Sequence, residues 1–207
     1  QAAGADALLL PAVSYQSLRD EEVFALFETV TRHVSVPVCI YDNPGTTHFT
    51  FTDELHGLLS SLEGVRSLKI PGVPDSPAAA AERVGALRQH LRPGVTIGIS
   101  GDAYAGLGLN AGCEVWYSVS GGLFPETAKQ ITEAAAANEH ERVTALITRL
   151  EPLWALFRKH RGSIRVIAAA AGVLGLTDTD CLPRPLQPLS AGDIADIAGV
   201  IRVLELK

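Results

Sequence analysis

The chain holds four lysines, Lys69, Lys129, Lys159 and Lys207, and three of them fall in stretches that read as exposed helix or tail. Lys69 is different. It ends the apolar run of VRSLKIPG (65–72), a place where burying an ammonium is costly. Burial disfavours the charged form of a lysine, and a neutral amine is a nucleophile that forms a Schiff base with a carbonyl. The plainer account is that Lys69 reaches out to solvent or pairs with Asp102, since structural ion pairs place lysines in the same way. Tyr41 ends the preceding apolar run, VPVCIYDNPG, and a phenol there can pass protons in imine chemistry or simply cap a strand end. Asp102, in SGD, can orient a substrate hydroxyl or cap the stretch that follows it. Asp42 and Asn43 are expected to hold their turn through side-chain-to-backbone hydrogen bonds.

The elements that position these residues alternate. Short apolar runs at 5–11, 36–45 (stopping at a turn rich in Asn, Pro and Gly), 65–70, 94–100 and 114–122 (ending in glycines) read as strands. Between them, 20–34, 52–62, 76–91 and 103–112 read as helices. The first has acids in its first turn, the second Thr52 as N-cap, and the third Pro77 at its first helical position. The fourth, AYAGLGLNAG, reads as a short helix loosened by glycines. Near-continuous apolar strands separated by helices predict a parallel sheet wrapped by helices. In such a fold the chemistry sits at the carboxyl ends of the strands. Those ends carry Ser14, then Tyr41, Asp42 and Asn43, then Lys69, then Ser100, Gly101 and Asp102, then Tyr117 and Ser118. After residue 124 the strands stop; the rest reads as helices interrupted by the Pro-rich stretch CLPRPLQPLS.

The 207 residues are 47% hydrophobic with a formal charge of −6, a globular composition that gives no reason to expect nucleic acid or anionic membrane as a partner. Cys39, Cys113 and Cys181 show no CxxC spacing and are expected as reduced thiols, which points to a cytoplasmic protein. The six histidines show no metal-ligand spacing, and no nucleotide loop with its full pattern is present. The chain has no methionine and begins Gln-Ala-Ala-Gly, so Gln1 is expected to be an internal residue of a longer protein.

Together these residues resemble the dihydrodipicolinate synthase / N-acetylneuraminate lyase family of Schiff-base aldolases. YDNPGTT stands where the family has Tyr-Asn-x-Pro, SLK supplies the strand-end lysine, SGD (100–102) matches Ser-Gly-Asp, and GCEVWYS (112–118) loosely matches the last barrel strand. The resemblance covers nearly the whole chain. It implies a (β/α)8 TIM barrel with a C-terminal helical extension, of which this chain holds only strands four to eight. Residues 1–124 would carry the five strands, and 125–207 the last barrel helix and the extension. Five strands of eight would leave open edges, so the piece is not expected to fold alone. The resemblance further implies Lys69 as the imine-forming residue and Tyr41 as its proton-transfer partner. Ser100, Gly101, Asp102, Tyr117, Ser118 and Thr46 would contact substrate. It implies no metal or organic cofactor, a small 2-oxo acid substrate such as pyruvate, and a homo-oligomer, either dimer or tetramer.

Three departures from the family pattern bear on the substrate. Thr46 stands near the place of an arginine that holds a second carboxylate, Ile70 replaces a glutamate after the lysine, and Val13 stands where a relay tyrosine belongs, with Tyr15 displaced. These argue against dihydrodipicolinate synthesis and for a lyase, aldolase or dehydratase acting on a sugar-acid-like 2-oxo substrate. The alternative is a catalytically silent member that binds a small oxo acid as a sensor or structural subunit.

Overall fold

The computed structural model of the chain describes residues 1–178 and 180–206; Thr179 and Lys207 lie outside the described residues. Five strands form one parallel sheet in sequential order: β1 (Leu8–Pro11), β2 (Val38–Tyr41), β3 (Val65–Ile70), β4 (Thr96–Ser100) and β5 (Val115–Tyr117). Between them run α1 (Asp20–His33), α2 (Pro44–Thr47), α3 (Asp53–Ser60), α4 (Pro77–His90) and α5 (Ala105–Asn110). The order expected from the apolar periodicity is the order observed. An α-helix not foreseen is α2, a single turn inside the YDNPGTT stretch. A sheet whose strands follow chain order, each joined to the next by a helix, is the arrangement of one arc of a (β/α)8 barrel.

Local chemistry sets the helix starts. The Thr52 hydroxyl accepts from the Leu55 amide at 3.1 Å, and the Ser76 hydroxyl from the Ala79 amide at 3.2 Å, each satisfying an orphan first-turn donor. Before α1 it is Glu22 that reaches back, accepting from the Arg19 amide at 2.8 Å. Arg83 of α4 donates twice to Asp53 of α3, at 2.8 Å on each nitrogen.

The chain divides into two compact units, Gln1–Ser100 with Leu107–Tyr117, and Gly101–Gly106 with Ser118–Lys207. The first holds the sheet. Val38, Ile40, Leu68, Ile70, Ile97 and Ile99 are buried in one cluster with Val23, Phe27, Leu55, Leu59, Val84 and Leu87 of α1, α3 and α4. The alternate strand residues form the opposite face, where Cys39, Ser67, Thr96 and Ser100 stand. The strands are therefore not apolar on both faces, as their composition suggested. The second unit is helical: α6 (Pro125–Ala136), α7 (His140–Arg149), α8 (Glu151–Lys159), α9 (Ile164–Val173) and α10 (Ala191–Leu204), with Trp154, Phe124, Ile131 and Ile197 fully buried. Among the described residues no helix is long and apolar enough to cross a membrane.

The glycines of α5 do not loosen it. A β-carbon on Gly108 would lie 2.5 Å from Ile99 Cγ1, so the glycine lets α5 seat directly on β4. Gly85, on the exposed face of α4, has nothing within 4 Å of the same atom. Alanine gains about 0.5–1 kcal/mol over glycine inside a helix, whereas overpacking a filled core costs about 1–3 kcal/mol. Gly108→Ala is thus expected to destabilise the protein and Gly85→Ala to stabilise it, opposite signs for one substitution, read by denaturant unfolding of the two variants.

Candidate active site

Lys69 lies last but one on β3, in register with Tyr41 on one side and Gly98 on the other. Its side chain is half-buried rather than enclosed, which corrects the expectation of a buried amine. The Lys69 Nζ stands 4.9 Å from the centre of the Tyr41 ring and 5.8 Å from that of Tyr117, inside the range of cation–π attraction. So β2, β3 and β5 bring three of the sequence-predicted residues to one place.

The Tyr41 hydroxyl accepts a hydrogen bond from the Asn43 side-chain amide at 3.0 Å. This leaves the phenolic proton itself free to be given away. The expected role of Asn43 in its own turn falls to its backbone instead: the Asn43 carbonyl accepts from the amides of Thr46 and Thr47, each at 2.9 Å, while no side-chain cap forms. Thr46 is exposed on this turn.

Tyr117 is rooted at the rim, but its hydroxyl is turned into the sheet's inner face. It sits 2.7 Å from the Ser67 hydroxyl and accepts from the Cys39 thiol at 3.1 Å, and Ser67 in turn accepts from Thr96 at 2.8 Å. Burial, with the Cys39 contact second, pushes the phenol of Tyr117 up to about 12. Ser100, buried, donates to the Ile70 carbonyl at 2.7 Å.

In the second unit Gly101 takes φ +78°, a conformation that favours glycine, and opens the turn in which its carbonyl accepts from the Tyr104 amide. The Asp102 carboxylate accepts from the backbone amides of Val119 at 3.2 Å and Ser120 at 2.8 Å, tying down the turn at Ser120–Gly122. Ser118 accepts from the Gly121 amide at 2.8 Å.

One pair next to the site gave no signal in the sequence. Asp42, 7% exposed, faces His56 of α3, which is fully buried and stacked 5.0 Å from the Phe51 ring. His56 Nε2 lies 3.4 Å from Asp42 Oδ2, yet neither ring nitrogen makes a hydrogen bond. Burial raises the Asp42 carboxyl to about 6, with Arg83 lowering it and Asp53 raising it to lesser extents. Burial drops His56 to about 4, opposed by Asp53 and assisted by Arg83. At neutral pH the contact is therefore a carboxylate beside a neutral imidazole, not an ion pair. Among the described residues no group of three or more His, Cys, Asp and Glu side chains is placed to hold a metal ion.

The family model described as "Dihydrodipicolinate synthetase family" matches residues 1–202. The chain belongs to that family. The 4-hydroxy-tetrahydrodipicolinate synthase of Parvibaculum lavamentivorans is 31% identical over 96% of this chain and 66% of its own length. That of Brucella abortus is 33% identical over 73% of this chain and 50% of its own. The crystal structure of dihydrodipicolinate synthase from Agrobacterium tumefaciens superposes with a TM-score of 0.91 at 42% identity, covering 98% of this chain and 67% of that one. The chain thus spans half to two-thirds of the length of these relatives. The expectation against dihydrodipicolinate synthesis, drawn from Thr46, Ile70 and Val13, finds no support here, since all three relatives carry the name of that synthase. An exposed threonine hydroxyl donates to a carboxylate as readily as to a sugar hydroxyl, so losing a cation at that one position does not decide between them.

The Asp42–His56 pair makes a signed prediction. Asp42, with its raised value, holds a proton between about 4 and 6 that the unfolded chain has released, so alone it makes stability fall as pH rises through that window. His56, with its lowered value, lacks a proton that the unfolded chain holds up to its ordinary range, so alone it makes stability rise with pH over nearly the same window. In the intact pair the two slopes oppose each other. His56→Gln is expected to unmask the first slope and Asp42→Asn the second, each up to about 1.4 kcal/mol per pH unit. Denaturant melts of both variants from pH 4.5 to 7.5 check the two opposite signs.

Proposed function

We propose that this chain carries the reacting amine of a Schiff-base lyase or synthase whose substrate is pyruvate or a related small 2-oxo acid. The observation that carries this reading is the pairing of Lys69 Nζ with the Tyr41 ring at 4.9 Å, on the carboxyl-end rim of a parallel sheet where such folds place their chemistry.

The unprotonated Lys69 amine attacks the ketone carbon of the 2-oxo acid, forming a carbinolamine. Loss of water, with the proton for the departing hydroxide supplied by an acid, gives a protonated imine. Tyr41 suits that acid: its oxygen accepts from Asn43, which leaves its proton pointed elsewhere and stabilises the phenolate that remains. The iminium then acts as the electron sink for removing a proton from, or breaking a bond at, the neighbouring carbon. The resulting enamine adds to an aldehyde in the synthetic direction or takes up a proton in the cleaving one. Water hydrolyses the imine and returns the amine. Ser100, Gly101, Asp102, Ser118 and Thr46 remain proposed substrate-contacting positions, supported by their place at the end of β4 and just after it, in α2 and after β5.

The test is trapping. Incubation of the protein with pyruvate, reduction with borohydride and peptide mapping are expected to place a pyruvate-derived adduct on Lys69. Lys69→Arg keeps the charge but cannot form the imine, and it is expected to abolish the adduct. Tyr41→Phe is expected to slow adduct formation by about 10²–10⁴-fold without preventing it. Absence of any adduct with a panel of 2-oxo acids would sink the reading.

A further inference from the structure

Gly98 is the cross-strand neighbour of Lys69, and it stands in the middle of β4, where a glycine weakens the strand. Its reason lies in Tyr117. A β-carbon on Gly98 would fall 2.2 Å from Tyr117 Cε2 and 2.6 Å from Cδ2, closer than atoms can approach. The ring therefore lies across β4 in the space that any other residue at 98 would fill. The Tyr117 hydroxyl continues in the same direction to Ser67 on β3 and Cys39 on β2. Ser67 and Cys39 each lie two residues before Lys69 and Tyr41 on the same face of the same strands, so the hydroxyl is fixed one layer beneath the Lys69–Tyr41 pair. The ring slopes from the rim on β5 to a point under the amine, with its centre 5.8 Å from Nζ.

We propose that Gly98 and Tyr117 form a matched pair whose function is to position Lys69: the ring, admitted by the glycine and pinned at its far end by Ser67 and Cys39, is the floor that keeps the amine at the rim and against Tyr41. Tyr117 is thus a positioning residue rather than a group that handles substrate. Without the floor, the four-carbon stem of Lys69 has room to settle toward the inner hydroxyls, where Nζ would find donors and acceptors and leave the Tyr41 ring. The inference rests on the reading of Lys69 as the imine-forming amine, and its test is built to fail separately from that reading.

The test uses two rates at Lys69 in the protein: trapping of the pyruvate adduct by borohydride, and acetylation by trace acetic anhydride, both read by peptide mass. The second needs no substrate and reports the reactivity of the amine alone. Gly98→Ala, which must displace the ring, is expected to slow trapping by about tenfold or more, because small misplacements at a reacting centre carry large rate costs. It is also expected to change the acetylation rate. Tyr117→Phe keeps the ring and loses its pins, and is expected to give a smaller fall in the same direction. The deciding variant is Gly98→Ala combined with Tyr117→Leu, which relieves the clash. If Tyr117 only fills space, the double variant regains both stability and trapping, and the proposal is overturned. If it positions the amine, the double variant regains thermal stability but not the trapping rate. Unchanged acetylation of Lys69 in all three variants would also overturn it. A wild-type protein that gives no pyruvate adduct, while acetylation still responds to these substitutions, would refute the imine reading and leave the positioning role standing.

Discussion

A one-residue irregularity between β2 and β3 is what the site depends on. Val38 pairs with Val65, but the next residue, Cys39, pairs with Ser67, so Arg66 is skipped and points out to solvent. If the first pairing continued without the skip, Tyr41 would stand opposite Leu68. Side chains alternate faces with a period of two, so the phenol and the amine would then occupy opposite faces of the sheet. With the skip, Tyr41 and Lys69 share the inner face, Ile40 and Leu68 share the outer, and each residue type falls where its chemistry is useful. The extra residue is an arginine, the kind of side chain that costs nothing to leave in water.

From that register the division of labour between the two faces follows. The outer face is aliphatic and fully covered, and its burial, at about 25 cal/mol for each Å² of apolar surface, is what holds the strands in place. The inner face contributes little of that kind. It carries hydroxyls, a thiol, a phenol and an amine, and its polar groups satisfy one another across four strands through Thr96, Ser67, Tyr117 and Cys39. A network with its members paired is stiff, whereas a half-satisfied one would be costly. Two aromatic rings near an ammonium contribute about 0.5–1 kcal/mol each at this degree of exposure, enough to bias where a flexible side chain rests but not enough to bury it. That matches a lysine that is half-buried.

How much of this could be read from the sequence depends on the range of the interaction. Strand order, helix starts and the position of Lys69 rest on local patterns: apolar runs, a Thr or Ser ahead of a helix, a cation ending a strand. The helix at 103–112 is legible, but the packing reason for Gly108 is not, because its partner Ile99 lies on a strand and not on the helix itself. The Tyr117 fold-back joins residues 78 and 50 positions apart, and no periodicity reports such a pairing. One signal did exist. A glycine in the centre of TIGIS marks a close approach by something, and Tyr117, last but one in GCEVWYS, is a bulky residue available to supply it. Asp42 and His56 gave no such mark: an acid in a turn and a histidine on a helix are ordinary until the fold turns both inward.

That pair explains how the turn that follows Tyr41 can be anchored without an ion pair. A charged Asp–His contact would need further partners to offset its desolvation, and His56 has none on either nitrogen. The other charges that act on the pair, Arg83 and Asp53, are engaged with each other through two 2.8 Å bonds. Burial acts on the two titrating groups in opposite senses, raising the acid and lowering the base, so the proton that one gains on folding is the proton that the other loses. Folding of the pair then exchanges almost no net proton with solvent over the window where each alone would. The turn that follows Tyr41 can thus be packed against α3 with titratable groups inside it, while its stability remains nearly indifferent to pH.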